Sequence, residues 1–269
     1  MQLSPSISLS GLVRHYLLLE SEQDIHLNYR LFSDGNPGIV FHLKDSVMQS
    51  AGNFEALPRS FIYGQISQFK DVVSTGKLGM LVVVLQPYGI HSLLGIDAAE
   101  LNNCIVDLAD IFGVEAAVLE DQIISVRAIA AKIGIIEKFF LEKTRSKREP
   151  DHLFKESLQV IYNSRGSISI EGILKKVSVT ERQLERKFKQ YIGTSPKKYA
   201  DIIRFQHFLK LLQHQSRGRK ISDIVYETGY YDQSHLNGFF KKVTGITPNQ
   251  YKTDHQLLAI NFMQLPKNA

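Results

Sequence analysis

Apolar and polar positions alternate in two different rhythms along this chain. Through residues 8–94 the apolar residues come in short runs and alternations, the pattern of strands. His26–Phe32 alternates, Asp34-Gly35-Asn36-Pro37-Gly38 is dense in turn-forming residues, and Ile39–Leu43 is an apolar run. Phe61–Ile66, Phe69–Val73 and Leu78–Leu85 follow as further short strands, and the β-branched Val82-Val83-Val84 suits a strand buried on both faces. Pro87-Tyr88-Gly89 ends the sheet. Residues 1–112 are therefore expected to form a β-sandwich or barrel, with helices following and a mouth able to hold a ligand.

Beyond that point the spacing turns helical. Ala98–Phe112 places Leu101, Ile105, Leu108 and Ile111/Phe112 on one face and stops at Gly113. Val118–Leu141 carries a stripe of Leu119, Ile123, Val126, Ile129, Ile133, Ile136 and Phe140, which packs on the sheet or pairs with a second chain. Residues 113–150 read as a helical connector whose charged end, Glu142–Pro150, is a linker or frayed helix end. Asp151 then caps a helix bearing Leu153/Phe154, Leu158 and Ile161/Tyr162.

The region 151–253 says one thing twice. Residues 188–199 read FKQYIGTSPKKY and residues 240–251 read FKKVTGITPNQY, with Phe, Lys, Gly, Pro and Tyr coinciding at a shift of 52. Such a repeat means that one supersecondary unit was used twice. In the first copy (about 170–191) Ile170–Val177 is a short helix and Thr180 caps a second, Glu181–Tyr191. In the second copy (about 222–243) Ser222 caps Asp223–Thr228, and Asp232 caps Gln233–Val243. Leu184 and Phe188 point inward, as do Leu236 and Phe240. That leaves Arg182, Glu185, Arg186 and Lys189 outward in one unit, and Gln233, Ser234, His235, Asn237 and Lys241 in the other; these and Thr180, at the start of the first, are the expected DNA contacts. A short helix, a tight turn and a second helix with a polar outer face is a helix-turn-helix, whose second helix fits the major groove of DNA. The helix 196–213 between the copies would span roughly 27 Å. That length could hold two reading helices about one DNA turn, roughly 34 Å, apart. The basic loop Gln215–Lys220 is expected near the phosphates.

Charge sharpens this division. The net +5 of the 269 residues hides a split: residues 1–137 carry −7 and residues 151–253 carry +9. An acidic sensor joined to a polyanion-binding domain has this asymmetry. The longest apolar run, Met80–Leu85, is too short to span a bilayer, and no signal peptide is expected. The single Cys104 has apolar neighbours and reads as a small, buried, inert thiol in a reducing compartment. His15, His26, His42 and His91 show no ligand spacing, and no Gly-x-Ser-x-Gly, P-loop or dinucleotide fingerprint is present. No metal, cofactor or catalytic residue is therefore expected.

Ile224, Gly229-Tyr230, Asp232-Gln233-Ser234-His235-Leu236, Phe239-Phe240-Lys241, Gly245, Thr247-Pro248 and Tyr251 make residues 151–253 resemble the DNA-binding domain of the AraC/XylS family of bacterial transcription regulators. The resemblance implies that Arg182, Glu185 and Arg186 read bases from the first unit, and Gln233, Ser234, His235 and Asn237 from the second. Gly238 stands where the family often has arginine, and Leu174 and Val225 stand where it prefers alanine. Phe32–Gly35, Leu57–Phe61, Gly64 and Pro87–Gly89 make the first part similar to a cupin-like sensor domain. The implied protein is a cytoplasmic, two-domain α+β regulator. It binds double-stranded DNA and a small-molecule effector, contacts RNA polymerase if it activates, and forms a homodimer. Residues 254–269 are left as a tail. The rival readings are a non-specific architectural or protein-binding module, and a cupin enzyme fused to a DNA-binding domain.

Overall fold

β-Branched runs separated by turn residues build two antiparallel sheets, and the computed structural model describes residues 1–22, 27–45, 47–49, 55–74, 76–144, 149–213, 221–253 and 256–265. The strands are β1 (Gln2–Leu3), β2 (Val13–Ser21), β3 (Leu27–Leu31), β4 (Gly38–His42), β5 (Val47–Gln49), β6 (Glu55–Ala56), β7 (Ser60–Tyr63), β8 (Lys70–Ser74), β9 (Leu78–Leu85) and β10 (Ile105–Asp107). Two more, β11 (Gln256–Ala259) and β12 (Phe262–Gln264), come from beyond the helical repeat. One sheet has the order β1-β2-β9-β4-β7-β10 and the other β11-β12-β3-β8-β5-β6. The triple valine behaves as its composition suggests. On β9, Leu81, Val83 and Leu85 pack toward the helices, whereas Met80, Val82 and Val84 pack toward the second sheet. Period-two alternation thus places β9 between two cores.

Helices α1 (Gly89–Leu94), α2 (Leu108–Phe112), α3 (Val114–Ser125) and α4 (Ile129–Lys143) cover the outer face of the first sheet. Three expectations are corrected here. Ala98–Phe112 is not one helix: a 3₁₀ turn, Ala98–Leu101, gives way at Asn103, whose φ is 58°, to the edge strand β10 and then α2. The β-branched pair Ile105-Val106 ladders with Tyr63 and Ile62, and Asp107 caps α2 by accepting from Ala109 N–H at 2.8 Å. Val118–Leu141 is likewise two helices, broken at Val126–Ala128. The chain folds back there, and the buried Lys132 ammonium donates to the Ile123 carbonyl, one of the acceptors left open at the end of α3. Leu119, Ile123, Ile136 and Phe140 of the stripe are buried against the first sheet, so that face packs within the chain. Cys104, expected to be buried, is exposed because it follows the Asn102-Asn103 turn.

The second half is helical: α5 (His152–Asn163), α6 (Ile170–Leu174), α7 (Glu181–Tyr191), α8 (Pro196–Gln213), α9 (Ile221–Glu227), α10 (Gln233–Thr244) and α11 (Pro248–Thr253). Ser222, expected as a cap, lies inside the first turn of α9. The repeat is a repeat of core positions. Leu184 and Phe188 of α7 are buried with Tyr199, and Leu236 and Phe240 of α10 are buried with Tyr251. α8 is shared, lending Tyr199 and Ala200 to the first core and Phe205, Phe208, Leu209 and Leu212 to the second. His26, the loop 215–220 and part of the linker 142–150 lie outside the described residues.

The repeated glycine explains itself. Gly193 and Gly245 follow α7 and α10 at φ 90° and 75°, a backbone that residues with a Cβ adopt at a cost. Both are also docking points. A Cβ at Gly193 would meet Asn102 and the Ala98 carbonyl, and one at Gly245 would meet Arg30 and Phe69. The strand-rich domain thus holds each helical unit at the same place in its repeat.

Within 254–269, expected to be a tail, the described residues 256–265 are a further departure. β12 pairs antiparallel with β3, and β11 pairs with β12, so this hairpin completes the second sheet of the N-terminal domain.

Candidate nucleic-acid interface and ligand cavity

Helices α7 and α10 are each set by their own cap. In the first unit Thr180 Oγ1 accepts from Gln183 N–H at 3.3 Å while Gln183 Oε1 accepts from Thr180 N–H at 3.0 Å, a reciprocal capping box. In the second, Asp232 Oδ1 accepts from His235 N–H at 2.7 Å. These caps fix where α7 and α10 begin, and the buried Leu–Phe pairs fix which face turns outward. Arg182, Arg186 and Lys189 are exposed on α7, and Glu185 is half-buried. Gln233, Ser234, His235, Asn237 and Lys241 are all exposed on α10. Among the described residues, no ion pair occupies Arg182 or Arg186, whereas their neighbour Lys187 turns inward to Asp151. The Thr180 hydroxyl is already engaged in its cap. Gly238 lies on the exposed side of α10 with open space where a Cβ would project.

Two residues on this surface have no counterpart in the sequence expectation. Tyr226, on α9, is 69% exposed, and Tyr231, in the turn before α10, is 87% exposed. Both precede α10 in the chain. In the sequence their aromatic rings resemble core residues, so apolar patterning points them inward; only the packing of Tyr230 between Phe208 and Phe239 reveals which tyrosine is buried.

A second feature lies between the sheets. A cavity of about 850 Å³ is bounded by Leu19, Val40, Val82 and Val84 from the first sheet and by Leu31, Val72 and Phe262 from the second. Its rim is polar and drawn from both domains: Arg14 and Asn36 on one side, Arg165, Gln206, His207 and Lys210 on the other. Arg14 donates to Asn36 Oδ1 at 3.2 Å, and Arg165 donates to His207 Nε2 at 3.3 Å. The cations leave their mark on the imidazoles. Burial, reinforced by Arg14, brings His15 down to about 4, and burial with Arg165 and Lys210 lowers His207. Burial raises the Asp34 carboxyl, although Asn36 N–H donates to it at 2.9 Å. Apolar walls under a cation-rich rim suit a small molecule with an apolar body and a polar or anionic end.

His42 and His91 are hydrogen-bonded to the carbonyls of Pro58 and Ile96 at 3.0 and 2.9 Å. Among the described residues, no group of three or more His, Cys, Asp or Glu gathers as a metal site would, and no helix is long and apolar enough to cross a membrane.

Comparison with known proteins gives separate matches to the strand-rich first part and to the helical repeat. Residues 173–254 match the family model described as a helix-turn-helix domain, and residues 1–107 match one described as a domain of unknown function, DUF6597. The lactose operon transcription activator of Staphylococcus xylosus is 36% identical over 90 residues, which are 34% of this chain and 32% of that protein. The HTH-type transcriptional activator RhaR of Escherichia coli strain K12 is 31% identical over 88 residues, which are 33% of this chain and 30% of that protein. The chain spans about a third of the length of the curated relatives it matches. Among solved structures, ToxT from Vibrio cholerae aligns over 88% of this chain and 97% of that one, at 13% identity and a TM-score of 0.48.

Proposed function

We infer, for a chain whose residues 173–254 are a helix-turn-helix domain of the AraC type, that it is a sequence-specific DNA-binding transcription regulator controlled through its N-terminal domain. The observation that carries this reading is the pair of capped helices, α7 and α10, presenting exposed polar faces from equivalent positions of one repeat. Arg182 and Arg186 are suited to guanine edges, and Gln233 and Asn237 to adenine edges, because their donors match those acceptor patterns. Lys189 and Lys241, at the last turns, are suited to phosphates. The matching relatives are transcription activators, which supports a binding role rather than catalysis and a cytoplasmic site of action. The cavity between the sheets is the candidate effector site, and RNA polymerase is a partner if the protein activates.

Selection of sites from random duplex DNA by the full chain tests the reading. Enrichment of two short blocks about 10 base pairs apart is the expected outcome. Binding without enrichment would reduce the protein to a phosphate-neutralising module, with affinity set by salt alone.

A further inference from the structure

β3 and β12 together form a wall with both faces occupied. Successive side chains of a strand point to opposite sides. On β3, Leu27, Tyr29 and Leu31 face the space between the sheets, whereas Arg30 faces out. On β12, Phe262 stacks on Tyr29 at 5.2 Å between ring centroids, on the cavity side, while Met263 is buried in the core of the second helix-turn-helix unit. The hairpin itself lines the cavity through Leu258, Ile260 and Phe262.

The back of this wall grips the second unit. Arg30, held by Asp71 at 2.6 Å, donates to the Thr244 carbonyl at 3.2 Å, and its guanidinium lies 4.0 Å over Phe69 beside Gly245. Met263 and Leu265 share a core with Leu236, Phe240 and Tyr251. Tyr251 Oη donates to the Ile260 carbonyl at the hairpin turn at 2.8 Å, and Asn261 Nδ2 donates to the Phe32 carbonyl at 3.1 Å. The first unit is held elsewhere, by Asn102 Nδ2 donating to the Gly193 carbonyl, and that contact does not pass through β12.

We propose that the hairpin 256–265 carries occupancy of the cavity to the second helix-turn-helix unit, so that a ligand between the sheets sets the order of α10 while leaving α7 unmoved. The proposal rests on the regulatory reading above and adds its route. Phe262 and Met263 are neighbours on one strand with opposite environments, so a shift of the first toward or away from the cavity is a shift of the second in the other core. The ribbon is short, with three residues of β12 laddered to β3, and the two states are a seated one, with Phe262 in the cavity wall and Met263 in the helical core, and a shifted one in which both contacts change together. A ligand selects between those states only by touching them differently, and on the hairpin Leu258, Ile260 and Phe262 are where it touches.

Hydrogen exchange along the full chain, without DNA, tests this. Phe262→Ala removes the hairpin's contact with the cavity, and Val82→Phe fills the cavity from the opposite sheet as a built-in occupant. Both are expected to change exchange in α9–α11 by roughly tenfold while α5–α7 stay as in the parent chain. Phe262→Leu and Val84→Phe replace either variant that fails to fold. Unchanged α9–α11 overturns the proposal, as does an equal change across α5–α11. A response to Phe262→Ala alone makes the hairpin a static brace and also overturns it. Exchange is read in the free protein, so failure here is separable from failure to select a DNA site.

Discussion

Gly238 occupies the middle of α10, exposed, with nothing within 4 Å of the place a Cβ would take. Gly238→Ala therefore removes backbone freedom from the unfolded chain without a clash. It should stabilise the protein by about 0.5–1 kcal/mol, read as a higher denaturant midpoint. Arg186 is the opposite case, an exposed charge whose removal leaves the core untouched. Arg186→Ala should cost about 1–3 kcal/mol of binding to a selected site if it reads a base, and an equal loss on every sequence would assign it to phosphate. Titration supplies a third test. His15 stays neutral in the fold down to about 4, against 6.5 when free. The unfolded chain thus binds more protons across that window, and stability falls as pH drops through it. His15→Gln should flatten that slope in chemical unfolding; His42 and His207, lowered in the same direction, will keep part of it. At this scale the repeated Leu, Phe, Gly and Tyr could be assigned from the sequence, because each answers to the geometry of its own unit. Cys104 could not, because its exposure depends on an asparagine turn that helical spacing does not register.

Single elements follow the same division. The caps of α7 and α10 were legible because capping is local: Thr180 and Asp232 stand immediately before the helices they start and bond residues three positions on. Asp232→Ala should cost about 0.5–2 kcal/mol of stability and fray the start of α10, and under the proposed function it should lower binding to one half-site. Circular dichroism with footprinting on each half-site would check both effects. Elements decided by distant partners were not legible. Ile105–Asp107 has a helical apolar spacing, yet it pairs with Tyr63, Ile62 and Phe61, and the sheet edge overrides the local preference. The break at Val126–Ala128 is similarly tertiary, since it lets two helices rather than one long helix lie on the first sheet. Least legible of all was the hairpin 256–265, whose partner strand lies at the other end of the sequence.

For the molecule as a whole, two domains share cores. Phe32 from the strand-rich half is fully buried among Phe205, Tyr251 and Met263, and Gln206 Nε2 donates to the Ser33 carbonyl at 2.9 Å. The full chain should therefore melt in one cooperative transition by calorimetry. A 151–253 fragment, which lacks Phe32, Met263 and Leu265, should melt at a lower temperature, since each lost core side chain removes about 1.5–3 kcal/mol of burial. Two independent transitions in the full chain would contradict the shared core. The hairpin also has a consequence for the order of events at the ribosome. Domains generally fold from the N-terminus as synthesis proceeds, but the second sheet here pairs Phe262 with Leu31, so its edge stays open until both helix-turn-helix units have been translated. A chain interrupted anywhere in the repeat would present that open edge, and only a chain translated through residue 265 can close it.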